Sequence, residues 1–349
     1  MNPRMMVAPR LALLLAISIL VSVTTAACGT SSKTVAATTS RASRATKAGS
    51  AGLTGFADAR QVAAAVRAGL SVTQLTGGEA SQLQSLAAGG GIGASLGAGC
   101  PSTTTAQESV DVARCTFGDT SSSKTIVLVG DSRAAMWFNV LDRIAIAAKF
   151  KLIALGKNGC PAVIGNFRLI EPGGVPTRSA WPACTAFHGF VLATIKKLAP
   201  QVVVDSSTDN LYLVNAPGAF ASASQVQTAF ASFLKAIPAP TKAVVLGGFP
   251  NPGASSGSPD LCLSQTSDVS KCSFTVSSAQ ASYNAAEEQA ARQAGAGFID
   301  QNPWFCAARC PAVIAGMVPY TVDGVHAQWR YARYLTGVLW TALKPYLKG

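Results

Sequence analysis

Five short apolar runs, each set apart from the next by a stretch of helical periodicity, constrain this chain more than any other feature. The runs are Thr125–Val129, Lys151–Leu155, Gln201–Val204, Lys242–Leu246 and Gly297–Asp300. Between and after them lie Ala134–Lys149, Gly189–Leu198, Ala221–Ile237, the alanine-rich Ser277–Ala294 and Gln328–Leu343, all read as helices. Runs that are apolar throughout, rather than alternating, belong to strands covered on both faces. Strands alternating with helices imply βαβ units, right-handed crossovers and a parallel sheet. The expected fold is α/β: one doubly wound domain over residues 100–349, with a single parallel five-stranded sheet. In such sheets ligands bind beyond the carboxyl ends of the strands.

The first hundred residues have a different texture. Met1–Arg10 contains Arg4 and Arg10 and no acid, Leu11–Val23 is almost continuously apolar, and Thr24–Ala27 is small. These are the three regions of a secretory signal peptide, and the apolar run is short of the ~20 residues that span a bilayer. Cys28 comes next, and Thr-Ala-Ala-Cys resembles a bacterial lipobox, although Thr25 stands where Leu is usual. The resemblance implies lipidation of Cys28; the alternative is a free secreted protein. Gly29–Ser50 is built from small and basic residues that bury no core. Phe56–Leu70 has helical spacing, and beyond it Gly77-Gly78 and Gly89–Gly91 break the pattern. The expected organisation is a lipoprotein signal peptide at 1–27, a flexible, partly helical tether at 28–99, and the α/β domain.

Composition removes several function classes. With 49% hydrophobic and 13% charged residues the chain is not disordered, and a single long apolar stretch excludes a multi-span membrane protein. The formal net charge of +12 is scattered along the sequence. No basic stripe interleaved with aromatics marks a nucleic-acid footprint; a basic surface beside an anionic envelope accounts for the charge. Of nine cysteines, setting Cys28 aside leaves sequence-local pairs: Cys100 with Cys115, Cys160 with Cys184, Cys262 with Cys272, and Cys306 with Cys310. Sequence alone leaves other connectivities open. Without Cys-x-x-Cys, or a His at ligand spacing from a Cys, no metal is expected. Disulfides require an oxidising compartment, in agreement with export.

Chemistry gathers at two places. The first predicted strand ends in Gly130-Asp131-Ser132, which sets the Ser132 hydroxyl on a strand-to-helix turn. Unsatisfied N–H groups and the positive end of the helix dipole would favour an oxyanion there; as an alternative, Ser132 is simply a helix cap. A nucleophilic serine needs a base, and the chain has two histidines, His188 and His326. His326 closes Asp323-Gly-Val-His326 in a loop before the last helix, where Asp323 can orient the imidazole. His188 is read as structural or surface, and Arg133 as a solvated first-turn residue, the alternative being a partner for an anionic substrate group.

Together these motifs resemble the first and last blocks of the SGNH (GDSL-type) hydrolases. Val127–Trp137, Lys157-Asn-Gly-Cys-Pro161, Cys184 and the strand after Pro200 look like the SGNH domain fused behind bacterial membrane O-acyltransferases. The resemblance covers about residues 126–343 and implies a flavodoxin-like strand order. It makes Ser132 the nucleophile, His326 the base and Asp323 its orienting acid. It places Gly159 with Ser132 in the oxyanion hole, Asp131 as a supporting turn residue, and Cys160 with Cys184 as a matching cysteine pair. It implies no cofactor. The family's third block, Gly-x-Asn-Asp, is missing; the corresponding stretch reads Asp205-Ser-Ser-Thr-Asp-Asn210, where Asn210 or a serine hydroxyl could substitute. The function implied is an exported serine esterase or O-acyltransferase on acylated envelope carbohydrate, sited at the outer face of the bacterial cytoplasmic membrane or secreted, with a membrane acyltransferase as a possible partner. The alternative is a catalytically impaired binding lipoprotein on the same scaffold.

Overall fold

The computed structural model describes residues 53, 55–87, 96–97, 99–102, 106–171, 175–209, 211, 220–252 and 258–347. The leader and Cys28 lie outside them.

The strands are β1 (Thr116–Gly118), β2 (Thr125–Gly130), β3 (Lys151–Gly156), β4 (Arg168–Glu171), β5 (Val175–Ala180), β6 (Val202–Ser206), β7 (Lys242–Gly247) and β8 (Gly297–Asp300). The main sheet has six strands in the order β1-β3-β2-β6-β7-β8. Its five parallel members are the five apolar runs, each placed within a residue or two. Every residue of β2 and β6 is buried, which explains the apolar runs Ile126–Val129 and Val202–Val204. The sixth strand, β1, is a three-residue antiparallel edge on β3, too short to leave a periodic signal. The β4–β5 hairpin stands apart as a two-stranded sheet.

Nine helices are described: α1 (Ala59–Gly69), α2 (Gly77–Ala87), α3 (Ser132–Ala148), α4 (Pro182–Leu198), α5 (Ala223–Ala236), α6 (Pro259–Gln265), α7 (Ser278–Gln293), α8 (Trp329–Tyr334) and α9 (Thr336–Leu347). α3 packs with α8 and α9, and α5 packs along α7, the grouping required when helices cover both faces of a sheet. The central core includes Val127, Leu128, Trp137, Leu141, Val203 and Leu339, all buried.

The tether reading is corrected for residues 55–87. Val62 and Val66 of α1 are fully buried in the main core, the Phe56 N–H bonds the Tyr334 carbonyl at 2.9 Å, and the Phe56 and Tyr334 rings meet edge to face at 5.0 Å. Gly77-Gly78 does not end a helix but starts one. Glycine is cheap before the helix interior, Glu79 accepts the Thr76 N–H at 2.5 Å, and Leu86 buries against Leu263, Val269 and Val318. Tertiary burial, which local spacing does not reveal, decides both cases.

Candidate active site

The site grows from the carboxyl ends of β2, β3 and β6. At the end of β2 the chain turns sharply through Gly130, with φ +128°. A Cβ there would lie 2.1 Å from the Ser206 carbonyl oxygen, so only glycine lets β2 run beside β6 and enter α3 directly. Asp131 caps α3, one carboxylate oxygen accepting the Arg133 N–H at 2.9 Å and the other the Thr208 N–H at 2.9 Å. It thereby ties the turn to the segment after β6. Ser132 is the first residue of α3, where the backbone N–H has no intrahelical acceptor.

The other half comes from a loop between β8 and α8. Tyr320 and Ala327 pair across an isolated antiparallel bridge, and Gly324, with φ +68°, makes the reversal between them. Asp323 is held inside by the Thr321 hydroxyl at 2.6 Å and the Val325 N–H at 2.9 Å. The Ala327 N–H reaches Met136 Sδ at 3.3 Å, which pins the loop to α3. The consequence is a continuous relay. His326 Nδ1 lies 2.8 Å from Asp323 Oδ2, and His326 Nε2 lies 2.7 Å from Ser132 Oγ. With Nδ1–H donating to the carboxylate, Nε2 is left to accept from the serine hydroxyl. Burial pushes Asp323 up, but the hydrogen bond and charge of His326, with the Thr321 and Val325 donors, outweigh it and hold the carboxyl below its ordinary value.

Gly159 sits in the loop after β3. The Lys157 N–H bonds the Gly130 carbonyl at 3.0 Å, so the loop starts against the Ser132 turn, and the Cys160 N–H closes it on the Lys157 carbonyl at 2.9 Å. Gly159 has φ +71°, and its N–H has no partner among the described residues. Asn210 lies outside the described residues. Ser207, three residues before it, is committed elsewhere: its hydroxyl donates to Asp205 at 2.7 Å and accepts the Ala162 N–H at 2.9 Å, lacing β6 to the Gly159 loop.

Behind the serine is a buried polar layer that the sequence reading missed. Arg133 does not face solvent. It is 3% exposed, 3.7 Å from Asp209 and over the Phe249 ring at 5.4 Å. Burial pushes Asp205 up to about 8, against its Ser207 hydrogen bond and with the Asp131 charge adding, so it is protonated at neutral pH. Burial and the Asp209 charge raise Glu287 as well. A single arginine shares this layer with Asp131, Asp205, Asp209 and Glu287, and burial is the largest influence raising each of these carboxyls.

The four local disulfides are formed: Cys100–Cys115, Cys160–Cys184, Cys262–Cys272 and Cys306–Cys310. His188, inside α4 rather than at its start, lies 2.8 Å from the Pro161 carbonyl and 3.4 Å from Cys160 Sγ. The i, i+4 step from Cys184 to His188 on one helix face was the available signal. Cys160, Cys184 and His188 are the described cluster whose ligand atoms lie close enough to share a metal. Their two sulfurs are bonded to each other, however, and a disulfide offers no thiolate.

At the carboxyl edge of the doubly wound α/β sheet a serine, a histidine and a carboxylate thus lie in line, within hydrogen-bond distance at both joints. The model of the family described as "SGNH domain (fused to AT3 domains)" matches residues 99–341, more than half of the chain, and the chain belongs to that family. No curated protein matches. Solved structures also match, among them the periplasmic domain of a Salmonella ser. Paratyphi A lipopolysaccharide acetyltransferase, 14% identical, covering 79% of this chain and 98% of that one with a TM-score of 0.48. That likeness concerns the fold alone. No helix among the described residues is long and apolar enough to cross a membrane.

Proposed function

We propose that the chain is an exported serine esterase or O-acyltransferase acting on acyl esters of cell-envelope glycans. The observation that carries this reading is the unbroken Ser132–His326–Asp323 relay, with hydrogen-bond distances at both joints. Ser132 Oγ attacks the acyl carbonyl while its proton passes to His326 Nε2. The resulting oxyanion takes the N–H groups of Ser132 and Gly159, with Asn210 as the third donor. Collapse breaks the ester bond, and the departing sugar oxygen takes the proton from His326. The acyl-serine then passes its acyl group to water or to a sugar hydroxyl, deprotonated by the same His326.

Four disulfides suit an extracytoplasmic compartment. The family's fusion to AT3 domains supports a membrane acyltransferase as partner. Cys28 is the proposed lipid anchor at the outer face of the cytoplasmic membrane, and Cys28→Ala should move the protein from the membrane fraction to the soluble one. A fluorophosphonate probe tests the activity. It should modify Ser132, located by peptide mapping, and fail to label Ser132→Ala; absence of labelling in the folded wild-type protein would remove the reading.

A further inference from the structure

The loops after β7 and β8 form an open, polar cavity of about 230 Å³, lined among others by Ser258, Lys271, Phe274, Thr275 and Arg309. Nothing acidic is among its described lining residues. Its walls are stapled by two disulfides, since Cys262 and Cys272 line it and Phe274 pairs through both backbone groups with Cys310, at 3.0 and 2.8 Å.

The cavity abuts the loop that carries Asp323 and His326. Ser258 Cβ lies 3.5 Å from where a Cβ at Gly324 would sit, and the Phe274 ring meets Tyr320 at 5.3 Å. Arg309 is held over it by a hydrogen bond to the Ser273 carbonyl, and among the described residues no carboxylate pairs with its guanidinium. Among the described residues Lys271 pairs with Asp268 alone, at 3.6 Å, and stays 72% exposed, a surface pair of little strength that a ligand can replace. Ser258 precedes α6 without spending its hydroxyl on a cap bond.

From this placement we propose that the cavity is a subsite for an anionic sugar residue, bearing a carboxylate or a phosphate, of the glycan whose ester reaches Ser132. The inference rests on the esterase reading above for its place in the reaction. The volume is below the ~300–1,000 Å³ of pockets that engulf a drug-sized ligand, and suits one ring. The planar guanidinium of Arg309 matches either anion through paired N–H donors. A remote contact of this kind holds the polymer so that its ester lies at the serine.

Ligand-observed NMR titration of the full exported chain tests it, with glucuronic acid, glucose 6-phosphate and glucose as probes. One or both anionic sugars should bind, more weakly as salt rises, and glucose should not. The two anionic arms distinguish carboxylate from phosphate as the recognised group. Arg309→Gln should weaken that binding at least tenfold and Arg309→Lys less, with thermal melts confirming both fold. Arg292→Gln, on the exposed Glu288 pair of α7, should leave it unchanged. Equal binding of glucose, no binding of either anion, or no effect of Arg309→Gln in a folded protein overturns the proposal. Fluorophosphonate labelling separates the two failures: labelling without anion binding sinks the subsite, whereas anion binding without labelling sinks the esterase.

Discussion

The two histidines of this chain have been given opposite environments. His326 lies between a carboxylate and a hydroxyl, both ring nitrogens engaged, at the middle of the relay. His188 lies against a disulfide and a backbone carbonyl, edge to face with Phe233 at 5.9 Å. Burial holds it down at about 4, so it stays neutral at ordinary pH and its Nε2–H donates to Pro161. An imidazole set in an apolar wall loses the solvent that would stabilise its charged form. The same side chain is hydrogen-bonded between Asp323 and Ser132 in one place and packed against a disulfide and an aromatic ring in the other.

The largest effect expected from this contrast is at Ser132 and His326. Replacing either by Ala should cost about 10⁶-fold in kcat on p-nitrophenyl acetate, and the double variant should be hardly worse, because nucleophile and base act as a unit. Circular dichroism should show the fold unchanged. Loss of activity in a folded His188→Ala variant, with His326→Ala still active, would reverse the assignment of the two histidines.

Asp323→Asn should cost less, up to about 10⁴-fold, because it misorients the imidazole without deleting it. Steady-state kinetics should show the loss in kcat rather than KM.

On the His188 side the effects should appear first in stability. Removing the Cys160–Cys184 bridge with paired alanines should destabilise the fold by roughly 2–5 kcal/mol, measured by urea unfolding. The same change should lower kcat, because the bridge flanks Gly159. Unchanged kinetics would separate the loop from the disulfide.

The smallest effect concerns protons. Between pH 6.5 and about 4 the unfolded chain takes up a proton at His188 that the folded chain refuses. This contribution to stability is therefore present above 6.5 and lost as pH falls, on the order of 2–3 kcal/mol in all. His188→Gln keeps a donor for the Pro161 carbonyl but does not titrate, so its unfolding midpoint should fall less between about pH 7 and pH 4.5 than that of the wild type. Parallel pH profiles would show that His188 does not carry the acid sensitivity.

Much of this was legible in the residues themselves. The five buried parallel strands, the Gly130-Asp131-Ser132 turn, the Asp323–His326 loop and the local cysteine pairs all lie within short stretches of chain, where periodicity, a required positive φ or close spacing leaves a mark. The edge strand β1 and the docking of residues 55–87 left none, because three residues show no period and an amphipathic helix does not name what it packs on. Nor did Arg133 announce that it is buried, or His188 that it is half-buried against a disulfide. Whether a charged or polar side chain meets water or the interior depends on Phe249, Asp209 and Glu287 for the one, and on Pro161, Phe233 and a disulfide for the other. Those partners are far away in sequence and meet only when the sheet is complete. The local chain thus determined which groups could do chemistry; the dielectric and the neighbours that set their protonation were decided by tertiary packing, since desolvation is a property of the assembled surroundings.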